Sequence, residues 1–250
     1  MASSATGDVD GEVHWIAAKA AEYGPITIVQ PTKLQQIVAA RLAETWRTVP
    51  HVTHCGLADI TDLESAREAW NATQAERLSL VPCVVKAVVT ALQACPGFNA
   101  SLLPDGTLLR KAYFNIGVIV DVGDGLLIPV IKDCDQKSIL EIADELASLA
   151  TRARSKGLPH SEMSGGCFTI SSLGGVAGTS FTPIINAPEA AILGISRAYP
   201  LELGESTQPR IKLPLALSYD HRINNGMDAG RFIGTISREL ECVDWSEAIR

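Results

Sequence analysis

Aromatic residues are scarce, at 5% of 250 residues, and no apolar run approaches the ~20 residues a membrane-spanning helix needs. Even the apolar stretch over residues 81–92 is broken by Lys86, so no membrane association is expected. Basic charge is also in deficit: 21 Lys and Arg stand against 28 Asp and Glu, a formal charge of −7. That balance excludes binding to a nucleic acid through broad neutralisation of its backbone, and leaves room only for a local basic patch on a phosphorylated ligand. The six cysteines (Cys55, Cys83, Cys95, Cys134, Cys167, Cys242) form no Cys-x-x-Cys pair. A zinc knuckle, a dithiol redox motif and a secreted disulfide framework are therefore not expected, nor is a metal. The cysteines read as reduced, mostly buried small hydrophobes. Gly165-Gly166 and Gly174-Gly175 lack the lysine of a phosphate-binding loop and the spacing of a dinucleotide fingerprint, which leaves turns or close packing. The first eleven residues carry Asp8 and Asp10 without a basic start or an apolar segment, so no leader is read there and the expected location is cytoplasmic.

Apolar residues make up 46% of the chain, enough for a substantial core. Residues 1–22 are small, polar and acidic and read as a tail or linker remnant, with one domain over 23–250. Helical periodicity predicts a helix after Pro31, with Leu34, Ile37, Val38 and Leu42 inward and Arg41 on the same stripe. Thr61-Asp62-Leu63-Glu64 has the spacing of a capping box opening a second helix towards Asn71. Further helices are expected over 81–94, over 138–155, and from Met227 to about Glu241 with Ala229, Phe232, Ile233, Ile236 and Leu240 inward. Strand candidates are residues 114–122, 126–131, 167–171, 190–195 and 211–219. Helices and strands interleave without a strict βαβ repeat, which predicts an α/β sandwich with a mixed sheet.

Five histidines are present, and His221 has the most informative context. It follows the apolar strand candidate at 213–217 in a tight polar turn that opens a helix, a junction where a side chain can be rigid and still face a ligand. His51 and His54 alternate with an apolar residue on a strand and read as a half-exposed face.

The segment Asp220-His221-Arg222-Ile223-Asn224-Asn225-Gly226 resembles the Asp-His-Arg-x-x-Asp-Gly signature of the dihydrolipoamide acyltransferase components of 2-oxo acid dehydrogenase complexes, shared more loosely by chloramphenicol acetyltransferase. The runs Gly165 to Gly175, Phe181 to Glu189, Phe114 to Val118, Ile128 to Asp133 and Val49 to Thr53 resemble the pyruvate-type members of that family, in the family's order. The resemblance implies a chloramphenicol-acetyltransferase-like, trimer-forming fold. It implies transfer of an acetyl (acyl) group between coenzyme A and dihydrolipoyl thiols, with His221 as general base and Ser171 stabilising the oxyanion. Asn225 stands where most relatives have Asp, as in some pyruvate-type relatives, and keeps one acceptor oxygen without the ion pair. Asp220 and Arg222 would shape the turn, and Arg41 would partner the motif or else reach solvent.

The lipoyl-bearing domain usual in such components is not found, so the lipoyl group is expected in trans or from a missing domain. Expected partners are two further copies in a homotrimer, or a larger cubic or dodecahedral core, together with the other components of a 2-oxo acid dehydrogenase complex. In a eukaryote the resemblance would place the protein in the mitochondrial matrix. Two alternatives stand beside this reading: a non-catalytic scaffold subunit of the same fold, and a stand-alone acetyltransferase for another small acceptor.

Overall fold

The computed structural model describes residues 9–123, 125–174, 176, 178–202 and 209–249. The chain divides into two units, residues 1–38 and 39–250. In the first, α1 (Val9–Ala21) forms within the segment read as a tail, and Ile26, Ile28 and Val29 of the following extended stretch are exposed. The helix α2 (Lys33–Thr48) carries the boundary between the units. Its start is a reciprocal cap: the Gln35 amide donates to Thr32 Oγ1 at 3.2 Å, and the Thr32 amide donates to Gln35 Oε1 at 2.9 Å.

The second unit continues with β1 (His51–Asp59), α3 (Thr61–Asn71) and α4 (Val81–Ala94), then the hairpin β2 (Ala100–Leu102) and β3 (Leu108–Arg110). Next come β4 (Ile116–Val118), β5 (Val120–Asp121), β6 (Leu126–Leu127), β7 (Val130–Ile131) and α5 (Ile139–Lys156). The chain closes with β8 (Phe168–Ser172), β9 (Ala191–Ile195), β10 (Tyr199–Leu201), β11 (Arg210–Asp220), α6 (Gly226–Cys242) and α7 (Trp245–Ala248).

The main sheet runs β1-β11-β9-β8-β4-β7, with β10 also paired to β11. Strands β4, β8 and β9 are mutually parallel and the other pairings antiparallel, which is the mixed sheet the sequence predicts. The helices α4 and α6 coincide with their predicted spans, and the five predicted apolar positions of α6 are all buried. Burying side chains such as Phe232, Ile233, Ile236 and Leu240 contributes about 1.5–3 kcal/mol each.

Three expectations are corrected. The α2 stripe is not inward within the chain: Leu34, Ile37, Arg41 and Leu42 are exposed, while Thr45 is buried. The single predicted strands over 114–122 and 126–131 are each two short strands. The capping box at Thr61–Glu64 does not form, because Thr61 is the first helical residue rather than the cap. Its hydroxyl donates to Asp59 Oδ1 at 2.6 Å and accepts from the Ile211 amide at 2.9 Å, and Glu64 turns to Arg67. Working caps are instead Ser138 with Glu141 and Asn225 with Asp228.

Two features fix the β1/β11 end of the sheet. Asp59 receives Arg210 Nε at 2.6 Å and Lys212 Nζ at 3.1 Å on one oxygen and Thr61 on the other. Burial alone would raise its carboxyl, but the bonds from Thr61, Arg210 and Lys212 outweigh that and hold it well below the usual carboxylate range. Gly56 lies under α6, where an added Cβ would meet Ile233 Cγ2 at 2.6 Å. Gly56→Ala should therefore lower stability by about 1–3 kcal/mol. The check is a denaturant midpoint that falls while the slope is unchanged.

Candidate active site

His221 sits immediately after β11, in a turn that runs into α6. The turn is held from several sides. The Asp220 carboxylate, 3% exposed, accepts from the Arg222 amide at 3.0 Å, from Arg222 Nε at 3.0 Å and from Nη2 at 2.7 Å. That pairing raises the Arg222 guanidinium above its ordinary value. Asn224 Nδ2 donates to Gly97 O at 3.1 Å, and a Cβ at Gly97 would lie 2.4 Å from Asn224 Oδ1 and force that side chain to shift. Asn225 is the N-cap of α6: its Oδ1 accepts from the Met227 amide at 2.9 Å and the Asp228 amide at 3.1 Å. The backbone amide of His221 donates to Pro50 O at 3.1 Å.

The His221 ring is exposed and lies against Tyr219, with centroids 5.7 Å apart. Neither of its nitrogens is hydrogen-bonded among the described residues, so both remain open to an incoming group. Tyr219 is itself buried and meets Phe98 edge-on at 6.2 Å, which ties the face of the imidazole to the core.

Ser171 lies on β8, 8% exposed, and its hydroxyl makes no hydrogen bond among the described residues. A strand serine whose hydroxyl is neither capping nor bridging is available as a donor. Register places it far from His221. Ser171 is opposite Gly194 on β9, Gly194 is opposite Ala216 on β11, and His221 lies five residues further on. Five residues of strand span roughly 17 Å, with two strand spacings of about 4.8 Å across. Within one chain the structure does not bring the two side chains together.

Among the described residues Arg41 makes no bond to Asn225. Its guanidinium donates to Ala187 O, and the Asn225 oxygen is engaged by the α6 amides. Beyond Ser171, a cavity of about 640 Å³ opens beside Ser172 and Gly174, bounded by Thr61, Arg67, Arg197 and Tyr199. Arg67 is paired with Glu64 and bonded to Leu78 O, whereas Arg197 is exposed and unpaired among the described residues.

Sequence reading missed a second set of polar groups. His51, read as part of a half-exposed face, bonds through both ring nitrogens: Nδ1 to Val49 O at 2.8 Å, and Nε2 from the Ile185 amide at 3.1 Å. Glu189, 7% exposed, accepts from Asn186 Nδ2 at 3.0 Å on one oxygen and has no partner on the other. Burial pushes its carboxyl up to about 7, opposed by Thr169, Lys111 and Asn186. No spacing rule marks these residues, because Ile185, which completes the His51 bridge, and Thr169 and Lys111, which act on Glu189, are distant in sequence.

Cys83, Cys134 and Cys167 are not candidate nucleophiles. Burial pushes Cys83 and Cys167 up to about 12 and Cys134 up to about 11, which keeps them as thiols. Cys55 and Cys242 are exposed rather than buried. Among the described residues no cluster of His, Cys, Asp and Glu could hold a metal ion, and no helix is long and apolar enough to cross a membrane.

Comparison with known proteins places this arrangement. The family model described as 2-oxoacid dehydrogenases acyltransferase (catalytic domain) matches residues 24–248. The dihydrolipoyllysine-residue acetyltransferase component of the pyruvate dehydrogenase complex of Azotobacter vinelandii is 52% identical over 218 residues, 85% of this chain and 34% of that protein. The corresponding component of Pseudomonas aeruginosa is 50% identical over 217 residues, 84% of this chain and 40% of that protein. The chain thus spans less than half the length of these curated relatives. A solved structure of the Azotobacter vinelandii dihydrolipoamide acetyltransferase, concerned with a serine, a histidine and an asparagine in its catalytic mechanism, superposes with a TM-score of 0.84. It is 50% identical, with 89% of this chain and 94% of that chain covered. A chloramphenicol acetyltransferase superposes at 0.59 with 14% identity, covering 87% of this chain and 99% of that one, a likeness of fold alone.

Glu189 gives a test of the buried set. A carboxyl raised from 4.5 to about 7 by burial contributes stability that is fully present below the unfolded value and is lost as pH rises through the native one. Glu189→Gln should remove that loss. In unfolding titrations from pH 5 to pH 8 the wild type should lose stability relative to the variant; parallel curves would show that the carboxyl does not titrate in this range.

Proposed function

The chain belongs to the 2-oxoacid dehydrogenase acyltransferase family, as its catalytic domain, and from that premise we propose that it transfers an acetyl group between coenzyme A and a dihydrolipoyl thiol. The observation that carries the reading is the open state of both reacting groups: the imidazole of His221 and the hydroxyl of Ser171 lack partners among the described residues, although the backbone around each is tightly bonded. The histidine and asparagine of the solved Azotobacter vinelandii structure are four positions apart, as His221 and Asn225 are here.

A thiol with a pKa near 8.5 is mostly protonated at neutral pH, so a neutral imidazole accelerates its attack by taking the proton as the S–C bond forms. In this reading His221 takes that proton. The tetrahedral intermediate places a negative charge on the former carbonyl oxygen, and the Ser171 hydroxyl donates to it. Collapse breaks the other C–S bond, and the departing thiolate receives the proton from the imidazolium, which restores the base. Asn225 holds the turn as a helix cap rather than by orienting the imidazole through a carboxylate, and Asp220 and Arg222 fix the turn's shape. Arg41 supports the segment that packs beside it through Ala187. The cavity beside Ser172 suits the extended arm of coenzyme A, with Arg197 available to a phosphate. A lipoyl group brings the dihydrolipoyl thiol to the site.

Because the register keeps Ser171 and His221 apart in one chain, the complete site belongs to neighbouring copies, with the base from one and the oxyanion donor from the next. A homotrimer satisfies that requirement, and it is compatible with a larger core such as the cubic assembly solved for a pyruvate dehydrogenase complex. The other components of such a complex are the expected partners, in the cytoplasm or, in a eukaryote, the mitochondrial matrix.

Thiol release from acetyl-CoA with free dihydrolipoamide tests the assignment, with light scattering on the same sample. His221→Ala should lower kcat by on the order of 10²–10⁴-fold. Ser171→Ala should lower it by about 10²–10³-fold, with KM little changed. A Ser171→Ala enzyme that binds more weakly but turns over normally would remove the oxyanion role, and full turnover by His221→Ala would remove the base.

A further inference from the structure

His221 is the first residue beyond a strand end, and the direction of its side chain depends on the two peptide groups that precede it. Both are tied down. The Asp220 amide donates to Ala190 O at 2.9 Å, and the His221 amide donates to Pro50 O at 3.1 Å. Ala190 and Pro50 belong to segments far apart in sequence, and His51 is a side-chain bridge between them. Its Nε2 accepts from the backbone amide of Ile185, a group that can only donate. The proton therefore sits on Nδ1, which donates to Val49 O, so the ring is a neutral imidazole of defined tautomer. The ring packs against Trp46, from the last turns of α2, with centroids 5.2 Å apart and planes tilted by 35°, which restricts its rotation.

The segment that His51 grips is rigid in its own right. Between Ile185 and Ala190, the Glu189 amide donates to Asn186 O at 3.1 Å, and Asn186 Nδ2 donates to Glu189 Oε1 at 3.0 Å and to Thr169 Oγ1 at 3.2 Å. Ser101 and Arg41 donate to the carbonyls of Pro188 and Ala187. A closed circuit results: His221 to Pro50, through the His51 ring to Ile185, along the braced turn to Ala190, and back through Asp220 to His221. In the β1/β11 ladder His51 is also directly opposite Asp220.

Resting on the assignment of His221 as base, we propose that His51 is a positioning residue for it: by joining Val49 O to the Ile185 amide, it fixes the Pro50 carbonyl on which the His221 backbone hangs. A half-buried imidazole with both nitrogens engaged has no lone pair or proton left for substrate, so its contribution is to geometry alone. Loss of the bridge lets the turn pivot, and displacement of a reacting group by about 1 Å can cost on the order of 100-fold in rate.

The test compares His51→Phe, which keeps the ring and its packing on Trp46, with His51→Gln, whose amide oxygen can accept from Ile185 at the Nε2 position. Both are assayed for acetyl transfer beside wild type and His221→Ala, on samples of wild-type size by light scattering, with amide hydrogen exchange read at His221 and Ile185. His51→Phe should lower kcat by on the order of 10- to 100-fold with KM for both substrates within about twofold, and should speed exchange at both amides. His51→Gln should recover most of both losses. Should His51→Phe not assemble, His51→Asn replaces it, since the shorter side chain leaves the Ile185 amide unpaired, and the same changes are expected. Unchanged kcat and exchange in a folded variant, a change confined to KM, or no recovery in His51→Gln each overturns the proposal. If wild type transfers no acetyl group, or His221→Ala transfers at the wild-type rate, the functional reading fails by itself. The bridge is then judged on exchange at His221, where wild-type protection in the variant refutes it.

Discussion

The nine-pair antiparallel ladder between β1 and β11, from His51 opposite Asp220 to Asp59 opposite Lys212, is the constraint on which the rest of the unit depends. One end is sealed by the Asp59 carboxylate with Arg210, Lys212 and Thr61, which fixes where α3 begins. The other end delivers His221 into its turn. Between them, Gly56 lets α6 approach β1, and α6 in turn starts at the Asn225 cap four residues after the imidazole. A one-residue slip in this ladder would invert the faces of β1 and remove the histidine from its turn together.

Much of this was legible in the sequence where a side chain answers to its near neighbours. The period of α5 and α6 is set by burial of one face, while α4 is buried nearly all round and the apolar run of β11 on both faces, so their places could be read from residue spacing and apolar content. The Thr61 capping box shows the limit. Its spacing was right, yet Asp59 and Ile211 compete for the same hydroxyl, and Ile211 is 150 positions away. The motif around His221 points to a candidate site through likeness to a family, but spacing could not show that Ser171 lies two strands across and about five residues along the sheet. The apolar stripe of α2 leaves Arg41 either paired or reaching solvent; that stripe is exposed within the single chain, and the guanidinium donates to Ala187 O. The His51 bridge joins residues 134 positions apart, and no local pattern announces it.

Polar groups in the interior divide into those that are fully paired and those that are not. Lys86 is an example of the first kind, its ammonium donating to the carbonyls of Cys134 at 3.1 Å and Lys137 at 2.8 Å and so holding the turn ahead of α5. Glu189 and Lys111 are of the second kind: each keeps an unpartnered polar atom, and burial shifts both towards their neutral forms, the lysine downward and the glutamate upward. Their mutual attraction opposes that shift without cancelling it. Such a pair tolerates only small rearrangements of the strands around it, because either group becomes more costly when the other moves away.

The wide offset between Ser171 and His221 also has a genetic face. If the proposed division of the site between neighbours holds, a copy defective in one group would still lend the other, intact, to the copy beside it. Two inactive forms of the protein, one lacking the imidazole and one lacking the hydroxyl, would regenerate whole sites when their subunits mix; in an equal random mixture about one site in four would draw both groups from sound sources. In a protein so built, damage would be inherited by the interface rather than by the chain, and alleles would complement one another inside a single assembly.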